Sequence, residues 1–385
     1  MKKLTAVAVA LLAATQANAA EVYKNEKVSL DLNGRAYAGH YFGTKEKAGT
    51  PGEKSEKIGA NQFIRFGAKG DAVVSGTMKA IGVYEAQLNI GNSEKTLNGD
   101  KTDTVTNTDG EEITVTTSDS NDGNLRTRLA YGGLKDENWG QATFGRQKGA
   151  VSLISDWTDK SLTDGYGNEA LGVATDTYAT GRAADVVKYS GVFGADKEFM
   201  IDASYKFDGD TKEETGGNTN DSKSADAYGI AAAYNLPMNF SIGTGYNVGK
   251  FESKGESTDA KLWIIGAKYD DKATYVGVNY AKGTDFVGVD KDHTGIEAVA
   301  GYDFVNGFGL MAMYNNQTVE QSGKEDVDTV KYYTLGAQYK FNKNLRLAAE
   351  YRINDKDTDS KYDYKNDMVS VRRRQVLICD DFCLG

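Results

Sequence analysis

Cysteine is almost missing from this 385-residue chain: Cys379 and Cys383 are the only two, both in the last seven residues. A disulfide-stapled secreted module is therefore excluded, and their spacing has no partner His or Cys pattern for a zinc site. Proline is rarer than its companions allow, two residues against 44 glycines, which rules out collagen-like and Pro/Gly low-complexity chains. Beyond the N-terminus no run of about 20 apolar residues occurs, so no helix crosses a membrane. There is no basic excess either. Lys and Arg number 45 against 55 Asp and Glu, a net charge of -10, which argues against nucleic acid as a partner. Histidine is limited to His40 and His293, neither paired with a nucleophile, and Gly243-Thr244-Gly245 lies within a strand pattern, not at a strand–helix turn. No catalytic residue, cofactor-binding residue or metal ligand is assigned, and an enzyme reading has no chemistry to stand on.

What is present is a polar, glycine- and tyrosine-rich chain, with 23 tyrosines and a mean hydropathy of -0.53. Lys2 and Lys3 precede the apolar run from Leu4 to Ala14, and Ala17-Asn18-Ala19 supplies small residues for cleavage. This predicts a signal peptide over 1–19, cut after Ala19. Losing its two lysines takes the charge from -10 to -12.

The rest alternates with period two. Leu345, Leu347, Ala349, Tyr351 and Ile353 oppose Arg346, Ala348, Glu350 and Arg352; Ile296, Ala298 and Ala300 oppose Glu297 and Val299. Soluble sandwiches alternate too, so the tyrosines carry more weight. Tyr234, Tyr269, Tyr302 and Tyr339 each close a strand before a short turn, and each is answered 11 or 12 residues later by Tyr246, Tyr280, Tyr314 or Tyr351. Strands of about 10 residues, short turns alternating with long loops, and aromatics at strand ends describe an outer-membrane barrel. Lipid cannot satisfy a free N–H or C=O, so a sheet that crosses it must close. The pattern predicts strands near 27–42, 61–70, 75–90, 124–135, 139–147, 182–193, 198–208, 225–235, 238–250, 260–270, 273–283, 293–304, 308–319, 329–341, 344–354 and 363–375. The fold class expected is all-β: a 16-stranded antiparallel transmembrane β-barrel with short periplasmic turns and long external loops. Sixteen strands leave an aqueous lumen.

The long segment from Asn92 to Asn121 is rich in acids and threonines and reads as an exposed loop, with an extra hairpin or a disordered stretch both open. The segment from Lys148 to Gly181 differs. It holds Trp157, Leu162, Tyr166, Leu171 and Val173 beside Asp159, Asp164 and Glu169, too apolar for water alone, so this third loop is expected to fold into the lumen. Arginine is sparse, 11 residues, yet Arg35, Arg65, Arg126, Arg128, Arg146 and Arg182 all precede residue 183. Strand phase puts Arg35, Arg65, Arg126 and Arg128 inside, with Leu125, Leu129 and Tyr131 outside. An arginine facing lipid at mid-membrane costs about 2–4 kcal/mol. Permanent guanidinium charge opposite loop carboxylates makes a transverse field that sorts solutes by size and charge. Local ion pairs between scattered wall residues remain the alternative at this point.

Leu30-Asp31-Leu32-Asn33-Gly34-Arg35, His40-Tyr41-Phe42, Arg65-Phe66-Gly67-Ala68-Lys69-Gly70, Thr127-Arg128-Leu129-Ala130-Tyr131-Gly132-Gly133-Leu134-Lys135, Phe144-Gly145-Arg146 and Tyr339-Lys340-Phe341-Asn342-Lys343-Asn344 resemble strands and turns of the general, trimeric porins of Gram-negative bacteria. The resemblance spans nearly all of 20–371. It implies a water-filled outer-membrane channel for passive diffusion of small hydrophilic solutes and ions. It implies a homotrimer in contact with outer-membrane lipid and lipopolysaccharide. It further implies a constriction whose basic side is Arg35, Arg65, Arg128 and Arg182. Where the family carries Pro-Glu-Phe-Gly-Gly, this chain has Asp164-Gly165-Tyr166-Gly167-Asn168-Glu169, which nominates Asp164 and Glu169 as the acidic side. A substrate-specific channel, for instance for sugars, and a secreted β-rich adhesin are the competing readings. The organisation expected is signal peptide 1–19, barrel 20–371 and an atypical tail 372–385. The tail opens on Arg372-Arg373-Arg374, holds both cysteines and lacks the terminal phenylalanine that the resemblance implies; the expectation from all three is a shifted reading frame.

Overall fold

The structure, a computed structural model, describes residues 20–42, 44–45, 56–57, 60–90, 100–106, 112–118, 125–163, 169–173, 178–207, 222–253, 256–287, 290–323, 325–355 and 368–377. Sixteen antiparallel strands form one sheet that closes on itself. They are β1 Val28–Phe42, β2 Ala60–Ser75, β3 Met78–Asn89, β4 Leu125–Asp136, β5 Gly140–Lys148 and β6 Arg182–Phe193. Next come β7 Phe199–Lys206, β8 Ser222–Asn235, β9 Phe240–Ser253, β10 Glu256–Asp270 and β11 Thr274–Thr284. The last are β12 Lys291–Asp303, β13 Phe308–Gln321, β14 Val327–Asn342, β15 Leu345–Asn354 and β16 Met368–Leu377. Each pairs with its chain neighbours, and β16 closes the cylinder on β1 from Gly34 opposite Leu377 to Phe42 opposite Val369. The ladder includes Arg372–Leu377; 1–19 and 378–385 lie outside the described residues. A short strand, Ala20–Lys24, turns back on Ser29–Leu32 and continues the edge of β1 below β16.

Connections alternate in length, as the tyrosine spacing requires. Gly76-Thr77, residues 137–139, 194–198, 236–239, 271–273, 304–307 and 343–344 turn at one end. The long loops leave the other, and the one between β3 and β4 carries the hairpin Asp100–Thr106 and Glu112–Ser118. The outward face is apolar, with Ile230, Ile242, Ile265, Val278, Leu310, Leu335 and Leu347 exposed. Aromatics ring it at two levels. Phe240 meets Tyr269 at 4.9 Å and Tyr339 meets Phe341 at 4.9 Å near the short turns; Tyr314 meets Tyr333 at 5.0 Å and Trp263 meets Tyr280 at 6.3 Å near the loops. Such belts suit water–lipid boundaries.

Two departures from simple alternation bear on the lumen. The β3–β4 register shifts between Glu85–Leu129 and Ala86–Thr127, leaving Arg128 as the bulged residue. A bulge advances the phase by one, so Leu129 and Tyr131, expected outside, take inward register positions, Tyr131 opposite the buried Val83. Arg146 pairs with Ala130 on the outward face, where its Nε donates to the Thr127 carbonyl at 3.2 Å. The other departure is β10, which is apolar on both faces: Trp263 and Ile265 are exposed, while Leu262 and Ile264 are wholly buried on the inside.

Candidate pore constriction

What buries Leu262 and Ile264 is the loop between β5 and β6. It enters the lumen as its composition predicts, starting with a four-residue helix, α1 Ser152–Ser155. Val151, Ile154 and Trp157 on the way in, and Leu171, Val173 and Tyr178 on the way back, form one core with Ala231 and Ala233 of β8, Ala260, Leu262 and Ile264 of β10, and Ala281 of β11. Burying each large apolar side chain is worth about 1.5–3 kcal/mol, enough to hold the loop against the wall. Burial, with Asp285 close by, pushes the Tyr178 phenol up to about 12, so it stays neutral in that core.

Wall glycines make room. A Cβ on Gly295 would lie 2.1 Å from the Ala170 carbonyl oxygen, so only glycine lets the loop backbone come this close to β12.

Two buried carboxylates pin the loop's middle. Glu297 of β12 is fully buried and accepts from the Thr158 hydroxyl at 2.6 Å and the Ala170 N–H at 3.0 Å, joining both limbs of the loop. Glu350 of β15 accepts from the Leu162 N–H at 2.6 Å, the Ser161 hydroxyl at 3.0 Å and the Thr163 hydroxyl. Loop carbonyls find donors in turn. Asn279 donates to Ile154 at 3.0 Å, Tyr275 to Trp157 at 2.6 Å, Asn247 to Tyr178 at 2.9 Å and Gln317 to Ala170 at 3.1 Å. A buried backbone without partners would be costly, and these wall side chains act in place of a neighbouring strand.

From Glu350 the loop reaches the arginine wall. The Tyr37 hydroxyl on β1 donates to the Thr163 carbonyl at 2.5 Å, and Tyr41 does so at 3.3 Å. Arg35 and Arg65 are direct register partners across β1 and β2. Arg65 donates to Gln87 at 2.7 Å and lies 3.9 Å from Glu85; the Nε of Arg128 meets the same Glu85 at 2.5 Å. Thus Arg35, Arg65 and Arg128 share one patch, and Arg126, opposite Gln87, borders it. Arg182 lies at the root of the loop, opposite Lys148, whose ammonium pairs with Asp156.

The acidic nominees divide. Asp164 lies outside the described residues. Glu169 is tied to β13 and β14: its carboxylate accepts from the hydroxyl of Tyr332, which packs against Tyr41 of β1, and its carbonyl from Gln317. Asp159, which the sequence placed in the loop without nominating it, is exposed beside Thr158. The docking residues Glu297, Glu350, Asn279 and Tyr37 escaped sequence reasoning as well. Their signal was there in part: each has the inward phase, and the four-residue apolar run from Leu262 to Ile265 marks a strand covered on both faces.

The family model described as Gram-negative porin matches residues 5–359. The OmpD porin of Citrobacter koseri is 30% identical over 382 residues, covering 91% of this chain and 92% of that protein. The porin PhoE of Escherichia coli is 28% identical over 387 residues, covering 95% and 97%. Among solved structures, Salmonella typhi OmpF, in a complex with daunomycin, superposes with a TM-score of 0.70 at 22% identity, covering 92% of this chain and 99% of that one. With the closed sheet, its girdles and the loop crossing the lumen, these matches place the chain in the Gram-negative porin family, whose members are water-filled channels of the outer membrane and not enzymes.

Proposed function

We propose that this chain is a general diffusion porin whose pore is narrowed between the arginine patch of β1, β2 and β4 and the loop that crosses the lumen. The observation that carries this reading is the bond from Tyr37 to Thr163, which brings the loop to the strand that bears Arg35. Arg35, Arg65 and Arg128 supply the basic side, with Arg182 extending it along the root of the loop. Asp159 and Asp164 supply the acidic side, and Glu169 serves chiefly to dock the returning limb. A small hydrophilic solute then passes through a fixed transverse field, with no binding cycle and no cofactor. Tyr37 and Tyr332 are buried, leaving no ladder of lumen aromatics for sugar rings at these positions, which supports the general over the sugar-specific reading.

The outward face of β1–β5 supports a homotrimer. Gly70, Gly82 and Gly132 are register partners in a row across β2, β3 and β4, with Ala68, Ala80 and Ala130 beside them, so a second barrel can approach closely there. The remaining circumference faces lipid and, in the outer leaflet, lipopolysaccharide. Export through a signal peptide cut after Ala19 completes the proposal.

Reversal potential in a tenfold KCl gradient tests the constriction. Replacing Arg35 and Arg65 by alanine is expected to move it toward stronger cation preference. An unchanged potential in correctly folded channels refutes the assigned basic side.

A further inference from the structure

Two arginines of the patch, Arg35 and Arg65, do not stand on the wall unaided. Phe63, on β2, is buried, and both guanidinium carbons lie over its ring, Arg35 at 5.3 Å and Arg65 at 4.9 Å from the centroid. Phe63 is itself stacked on Tyr37, centroids 4.7 Å apart and planes 12° from parallel. Tyr37 carries the hydroxyl that holds the Thr163 carbonyl. One continuous column therefore runs from the loop backbone through two aromatic rings to two cations. Its parts come from the loop, β1 and β2, three segments with no chain continuity between them.

We propose that Phe63 and Tyr37 are positioning residues for ion selectivity: the stacked pair fixes the Arg35 and Arg65 guanidiniums relative to the loop tip and thereby sets the channel's anion-to-cation permeability ratio. The proposal rests on the constriction described above and names what holds its basic side in register. The physical reason lies in side-chain freedom. Arginine has a long, rotamer-rich side chain, and a guanidinium over an aromatic face loses part of that freedom in one place. Tyr37 and Phe63 are both nearly free of solvent, so neither ring can move without disturbing the other. Without the ring, the guanidiniums reorient toward the carboxylate of Glu85, which already contacts Arg65 and Arg128, and less positive potential faces the lumen.

The test is the permeability ratio of single channels in a KCl gradient, for the full chain refolded in detergent and checked for heat-modifiable migration. Phe63→Leu is expected to lower the chloride-to-potassium ratio roughly twofold to fivefold, the Boltzmann equivalent of one exposed cation–π contact. Phe63→Tyr, which keeps the ring, restores the wild-type ratio. Tyr37→Leu reproduces the shift of Phe63→Leu and decides alone should that variant not fold. Tyr37→Phe removes only the hydroxyl that holds the Thr163 carbonyl and keeps both rings, so its shift should be clearly smaller than that of Phe63→Leu. A wild-type ratio in folded Phe63→Leu or Tyr37→Leu channels overturns the proposal. So does a full shift in Tyr37→Phe, which would assign the effect to the loop bond and not to the stack. Wild-type channels that do not conduct would instead remove the porin reading beneath it, so the two failures are distinct.

Discussion

Replacing Glu297 by alanine is the sharpest perturbation of the lumen loop, because one carboxylate holds both of its limbs. The change removes the acceptor for the Thr158 hydroxyl and the Ala170 N–H in a fully buried site. An orphaned buried donor costs about 1–3 kcal/mol, so two put the loss of local docking energy at roughly 2–6 kcal/mol. At about 1.4 kcal/mol per factor of ten, the undocked population of this stretch rises at least about thirtyfold. The helix end stays in place, since Val151, Ile154 and Trp157 keep their core. Glu350 and Tyr37 still hold residues 161–163, so the release centres on Thr158 and Ala170. Single-channel recording should show larger mean conductance with more open-state noise, and limited proteolysis should cut the loop while the barrel remains heat-modifiable. Glu297→Gln keeps an acceptor for Ala170 and should behave nearly as wild type. An alanine variant with wild-type conductance, noise and protease resistance would refute the claim that this carboxylate fixes the width of the pore.

Three further outcomes are expected. Gly295→Val places a branched side chain where the Ala170 carbonyl already sits, so it should raise conductance as Glu297→Ala does, and the two changes together should add little to either alone in the same recording. A Cβ on Gly82 meets nothing within 4 Å inside its own barrel, so with Gly82→Trp the monomer should fold and keep its heat-modifiable shift while trimers vanish from a non-denaturing gel; intact trimers would move the interface elsewhere. In the β10–β11 turn, Asp271 accepts from the Thr274 and Ala273 N–H groups at 2.6 and 3.0 Å. The first of these bonds above all holds its carboxyl below the ordinary value of 3.8. A depressed folded-state value means the stabilisation is present at neutral pH and lost as pH falls through it. Asp271→Ala should therefore lower the detergent melting temperature at pH 7 and leave it unchanged near pH 2.

The strands were legible because a barrel wall obeys one local rule: a side chain sees either lipid or lumen. All sixteen expected strands occur, and Tyr234, Tyr302 and Tyr339 face outward as their spacing implied. The inward turn of the loop was legible for a similar reason, since Trp157 and Leu171 had to leave water. Where the loop would land was not. Glu297 and Glu350 read as ordinary inward carboxylates of a wet face, and only contacts across more than 100 positions of chain turn them into anchors. The bulge at Arg128 was hidden because register is decided by the partner strand, not by the alternation of β4 itself. Glu169 illustrates the same limit. Its charge and loop position nominate it for the acidic side, and only the fold shows that the Tyr332 hydroxyl, 163 positions on, holds its carboxylate.

The central claim is that a closed cylinder encloses water and that the docked loop alone narrows it. Swelling of liposomes containing the refolded chain, measured with uncharged sugars of increasing size, tests this most directly. The account predicts non-saturating uptake that falls steeply with solute size in the wild type and reaches larger sugars in Glu297→Ala. Liposomes that stay impermeable to the smallest sugars, although the barrel has demonstrably folded into them, would contradict it.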